Sequence, residues 1–123
     1  MSISMSRLIL YVHNVELLKS FYQAQFGFSV VEEIPDEWAV LKAGEVQLAL
    51  HLVGEPYRGS AAHAGHSNAK LVFSLPSGLP ALRDKLIASG INMGELKRYS
   101  GFPMLLCDGK DPEGNVFQLS QAD

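Results

Sequence analysis

Residues 8–28 read LILYVHNVELLKSFYQAQFGF, and the fold is decided by how this stretch is read. Its first five residues, 8–12, are an unbroken run of strand formers. Asn14 then offers a side-chain oxygen to the free amides of a helix start. Over 15–26, Leu17, Leu18, Phe21, Tyr22 and Phe26 recur at three- and four-residue spacing, which is the period of an amphipathic helix. Gly27 stops it, because glycine takes the left-handed conformation of a helix end without steric cost. The order is strand, cap, helix, stop.

That order comes twice. Leu8 and Leu71, Asn14 and Ser77, and Gly27 and Gly90 are each 63 positions apart, so strand start, cap and helix stop share one offset. Strand signals follow the first helix at 28–34, 38–42 and 46–53, with Pro35-Asp36 and Ala43-Gly44-Glu45 as turns between them. In the second half a strand at 70–75 leads to a helix that Ser77 caps and that runs to 89. Pro80 suits its first turn, where an amide has no internal partner. Strands are then expected at 91–99, 102–108 and 115–120. The chain therefore reads as an α+β domain of two βαβββ modules, about 6–53 and 69–121, joined by a linker at about 54–68.

With 47% apolar and 19% charged residues, 123 residues suffice for a core without staples. A net charge of −3 with scattered Lys and Arg argues against a nucleic-acid binder. Cys107 stands alone, so no internal disulfide forms, and it reads as a small buried apolar residue. No run of about 18 apolar residues marks a membrane span, and no basic stretch followed by an apolar one marks a leader. The expectation is a cytoplasmic protein. Glycine-rich phosphate loops, paired-cysteine zinc motifs and nucleophile elbows are missing from the sequence.

Two motifs on this duplicated pattern resemble the glyoxalase, bleomycin-resistance and dioxygenase family, also called the vicinal oxygen chelate superfamily. The first is Val12-His13-Asn14, Ser20-Phe21-Tyr22 and Phe26-Gly27-Phe28. The second is Asp111-Pro112-Glu113-Gly114-Asn115 with Val116-Phe117-Gln118-Leu119, a turn that introduces the last strand. The resemblance covers nearly the whole chain. It implies curled mixed sheets around a U-shaped cup, formed within one chain or across a dimer, and a homodimer is expected on that analogy. Fold alone does not fix function.

Metal-dependent members of that family hold a divalent ion through His, Glu or Gln on the first and last strands of each module. Matching the motifs places those positions at Arg7, Ala49, Lys70 and Gln118. Only Gln118 offers a good lone pair, while Arg7 and Lys70 bring positive charge. The usual metal site is therefore expected to be missing, with no cofactor. The alternative is a divalent transition metal held by His51, His63, His66 and Gln118, although the two loop histidines read equally as solvated. The family's catalytic carboxylates would stand where Ala49 and Gln118 are, so catalysis is left open. His51 is the one candidate base.

Alternation puts Leu8, Leu10 and Val12 on one face of the first strand and Arg7, Ile9 and Tyr11 on the other. The mixed face suits a pocket with a few placed polar groups, although a plain solvent-facing side would alternate the same way. Arg7 and Lys70 are repeat-equivalent and could receive a carboxylate or phosphate; the other reading pairs each with a nearby acid. Trp38, Tyr57, Tyr99, Phe102 and Met104 are candidates to line the site around a flat or apolar ligand, and each singly reads also as core. The expected ligand-binding set is Arg7, Trp38, His51, Lys70, Tyr99, Phe102, Met104 and Gln118. The expected function is metal-free capture of a drug or metabolite with apolar and anionic parts. The alternative is a family enzyme, a lyase, isomerase or dioxygenase-like catalyst of an oxygen-bearing small molecule.

Overall fold

A computed structural model describes residues 2–58 and 67–123. The chain divides into two compact units, Met1–Ala62 and His63–Asp123. Among the described residues each holds one α-helix and one mixed sheet, so the α+β class expected from the sequence is what the structure has.

In the first unit, β1 (Arg7–Val12) leads into α1 (Val15–Phe26), followed by β2 (Ser29–Ile34), β3 (Trp38–Ala43) and β4 (Val46–Leu52). The sheet order is β1-β4-β3-β2, with β1 parallel to β4 and the other pairs antiparallel. Asn14 caps α1 as its sequence position implies: Oδ1 accepts from the Leu17 amide at 3.0 Å. Gly27, at φ 71°, turns the chain out of the helix and donates its N–H to the Gln23 and Tyr22 carbonyls. Leu18, Phe21 and Tyr22 of α1 are buried with Val12, Leu41, Leu48 and Leu50 of the strands. That is the core of this unit. Phe28 falls just outside β2 and joins an aromatic cluster instead, stacking 6.4 Å from Tyr22.

In the second unit, β5 (Leu71–Ser74) and α2 (Leu79–Ala88) are followed by β6 (Met104–Lys110) and β7 (Val116–Ala122). The order β5-β7-β6 repeats the arrangement of the first unit, with the opening strand parallel to the closing one. Leu79, Leu86, Cys107, Phe117 and Leu119 make its core.

Two expectations are corrected here. Ser77 does not cap α2: Gly78 stands at the cap with φ 84°, and the first-turn amide of Leu79 is satisfied by Gln121 Oε1 of β7 at 2.8 Å. The strand expected at 91–99 is reduced to two bridges, Met93 to Gly109 and Lys97 to Leu106. Gly94 lies between them, and its amide bonds the Asp108 carbonyl. Gly109 explains part of this close approach. A Cβ there would lie 2.5 Å from Met93 Sδ and 2.7 Å from the ring of Phe117, so only glycine lets the 93 segment and β6 meet.

The turn before β7 is built around a buried carboxylate. Asp111 is 4% exposed and accepts from the Glu113 and Asn115 amides and from Asn115 Nδ2. Both carboxylate oxygens accept hydrogen bonds from within the turn, which makes Asp-Pro-Glu-Gly-Asn a structural knot that sets the start of β7.

Candidate functional site

Each sheet buries one face against its helix and turns the other outward. On the outward face of the first unit, strand register builds a grid of three rows. Arg7 lies beside Gln47 and Lys42, then Ile9 beside Ala49 and Val40, then Tyr11 beside His51 and Trp38. Successive rows are roughly 6.6 Å apart along the strands. Arg7 and Trp38 therefore start at opposite corners, yet the guanidinium carbon lies 5.6 Å from the centre of the indole ring. The two side chains must converge over the middle row, and both Ala49 and Val40 are at 0% exposure beneath. A larger residue at Ala49 would push them apart.

Gln47 fixes the arginine, its Oε1 accepting from Nε at 3.1 Å and from Nη2 at 2.8 Å. None of the ion pairs among the described residues involves Arg7. Its charge thus sits beside an aromatic face and a neutral amide, the setting in which a guanidinium keeps its hunger for an anion. His51 packs on both sides, 5.2 Å from the Tyr11 ring and edge-on at 5.5 Å to Trp38. Its Nδ1 is 2.7 Å from the Leu52 carbonyl. A carbonyl only accepts, so Nδ1 carries the hydrogen, which leaves Nε2 as the ring nitrogen that holds the lone pair in the uncharged form.

A β-bulge completes this face. Val30 pairs with Leu41 but Glu32 pairs with Val40, so one residue is inserted and Glu32 is turned to the side of Trp38. Its Oε2 accepts from the indole Nε1 at 2.7 Å. Glu32, Ile34, Glu37, Trp38 and His51 then border an open recess of about 370 Å³. Sequence alternation alone could not find Glu32, because the inserted residue breaks the period.

The second unit has the same grid with different chemistry. Val72 lies beside Gln118 and Asp108, and Ser74 beside Ser120 and Leu106. Register thus makes Gln118 the counterpart of Ala49 and Asp108 the counterpart of Val40. Lys70 Nζ is 2.9 Å from Asp108 Oδ2, and Gln118 Nε2 donates to Asp108 Oδ1 at 3.0 Å. Partial burial alone would raise the Asp108 carboxyl. The bonds from Lys70 and Gln118 and the nearby charge of Lys97 outweigh it and hold the group below its ordinary range. Lys70 thus takes the reading in which it pairs with an acid, and the acid is one that the sequence reading did not single out.

A small recess of about 70 Å³ opens there, bordered by Lys70, Lys97, Tyr99, Asp108 and Gln118 among others. Phe102 lies in the turn before β6, 61% exposed, and Met104 is half-buried at the start of that strand; neither borders this recess. The counterpart of Trp38 is Leu106. His63 and His66 lie outside the described residues.

The four positions matched to the family's metal ligands offer a guanidinium, a methyl group, an ammonium and a carboxamide. That set does not suit a divalent ion. Among the described residues no three His, Cys, Asp or Glu side chains gather to hold one. No helix among them is long and apolar enough to cross a membrane.

Known proteins agree with the architecture. The family model of the Glyoxalase/Bleomycin resistance protein/Dioxygenase superfamily matches residues 4–119. A lactoylglutathione lyase from Agrobacterium tumefaciens superimposes with a TM-score of 0.77 at 19% identity, over 98% of this chain and 95% of that one. A fosfomycin resistance protein, FosX, from Listeria monocytogenes gives 0.74 at 11% identity, over 100% and 94%. A possible glyoxalase from Bacillus cereus gives 0.74 at 16%, over 96% and 98%. At these identities the likeness shows the fold. None of the curated proteins matches the sequence.

Proposed function

Because the chain belongs to the Glyoxalase/Bleomycin resistance protein/Dioxygenase superfamily, we propose that it is a metal-free small-molecule-binding protein that captures a ligand with a flat or apolar body and an anionic group. The observation that carries this reading is Arg7, held by Gln47 against the ring of Trp38 and outside every ion pair among the described residues. A planar anion would lie against Tyr11, Trp38 and His51 and place its carboxylate or phosphate on the guanidinium. On this reading Lys70, Asp108 and Gln118 need no ion between them, since ammonium, carboxylate and carboxamide already satisfy one another. A cytoplasmic homodimer fits the proposal by analogy with the family.

Trp38 is the only tryptophan, so its emission reports on this face alone. Protein dialysed against chelator and titrated with 4-methylbenzoate should show a saturable change in that emission. Arg7→Gln should weaken it about tenfold or more, the scale of one charge-assisted bond. Binding that returns only after zinc, manganese or nickel is restored would overturn the metal-free reading.

A second reading has one specific observation behind it. His51 presents Nε2 as a free acceptor beside the same recess, the form a general base requires. Turnover of an oxygen-bearing substrate that His51→Gln abolishes, without loss of binding, would move the protein from capture to catalysis.

A further inference from the structure

The outward face of the first unit carries unpaired charge of both signs. Arg7 is one pole. At the other, Glu32 and Glu37 border the recess of about 370 Å³, and no ion pair among the described residues involves either of them. Some carboxylates elsewhere do hold cations: Glu16 and Glu33 share Lys19, Asp108 takes Lys70, and Asp123 takes Arg98. What separates the poles is Trp38. The indole has Arg7 over its ring and donates its N–H to Glu32, so the two charges address one aromatic platform from different places.

We propose that the ligand is a flat zwitterion, with its carboxylate or phosphate on Arg7 and an ammonium or other cationic group between Glu32, Glu37 and the rings of Trp38 and His51. This rests on the reading above and goes further, since that reading requires only the anion. Three features favour it. The recess is bordered by two carboxylates and two aromatic rings, the surroundings that a desolvated cation prefers. One oxygen of Glu32 is committed to Trp38 Nε1, which fixes the carboxylate in place and leaves the second oxygen for a ligand. A ligand with anionic charge alone would bring its body toward two carboxylates with nothing to offer them, and the like charges would oppose it.

Three probes of one shape test this: 4-(aminomethyl)benzoate, 4-methylbenzoate and 4-methylbenzylammonium, each followed by Trp38 emission and by shifts of the His51 ring resonances. The zwitterion should bind the native chain about tenfold more tightly than either singly charged probe. In the double variant Glu32→Gln, Glu37→Gln, whose glutamine still accepts from the indole, its advantage over 4-methylbenzoate should vanish. If 4-methylbenzoate binds through Arg7 as tightly as the zwitterion does, the zwitterion proposal fails and anion capture stands. If none of the three binds, both fail together. If the advantage survives in the double variant, the cationic end lies elsewhere and the proposal is overturned.

Discussion

Lys70 and Asp108 form an ion pair across the second sheet, Nζ to Oδ2 at 2.9 Å, at a place where the first sheet has only Arg7 and the apolar Val40. A carboxyl held below its ordinary range stabilises the fold fully above that range, and the contribution disappears as pH falls through the lowered value. Both partners are nearly half exposed, so the gain is well under about 1 kcal/mol. Lys70→Met should raise the Asp108 carboxyl back toward its ordinary range. Titration of the Asp108 carboxyl resonance checks this. A midpoint that stays put in the variant would mean that Gln118 and Lys97 hold the charge without Lys70.

Gly109→Ala should destabilise the second unit strongly. The new methyl group meets Met93 Sδ, which can move, but also the ring of Phe117, which is fully buried and cannot. Overpacking of this kind typically costs about 1–3 kcal/mol. Chemical denaturation gives the number directly, and loss of the Met93 bridge should show as faster amide exchange at Lys110 and Gly94. A variant as stable as the native chain would show that the 93 segment is not held against β6.

Cys107 should react slowly. It is 1% exposed, burial pushes its thiol up even though Arg83 pulls the other way, and Sγ lies 3.4 Å from the Gly94 carbonyl as a weak donor. Ellman's reagent at neutral pH should label it only as fast as the unit opens, and denaturant should accelerate labelling by orders of magnitude. Rapid labelling of native protein would place the thiol at the surface.

Local chemistry was legible where a residue acts on its own neighbourhood. Asn14 and Gly27 cap α1 because their side-chain oxygen and missing Cβ do the same work in any chain. The 63-residue offset likewise carries through to two sheets of like order. What failed at Ser77 and over 91–99 failed for long-range reasons. Gln121 reaches across from β7 to satisfy the first-turn amide, and the 91–99 segment meets β6 only at two bridges, one of them at Gly109, where a Cβ would collide with Met93 and Phe117. On the site, alternation placed Arg7, Ile9 and Tyr11 on one face of β1, and strand register is what brings His51 and Trp38 to the same face. Glu32 escaped because a bulge moves it, and Asp108 because its part depends on two partners distant in sequence, Lys70 just before β5 and Gln118 on β7.

In both units the opening strand is sewn to the closing one, Leu8 to Leu48 and Leu71 to Phe117. A ribosome releasing this chain cannot see either sheet close until the whole unit has emerged, because the neighbour of the earliest strand is made last. Pairings so distant in sequence slow the search for the native state. The first half can nonetheless settle while the second is still being synthesised, since each closes on strands of its own.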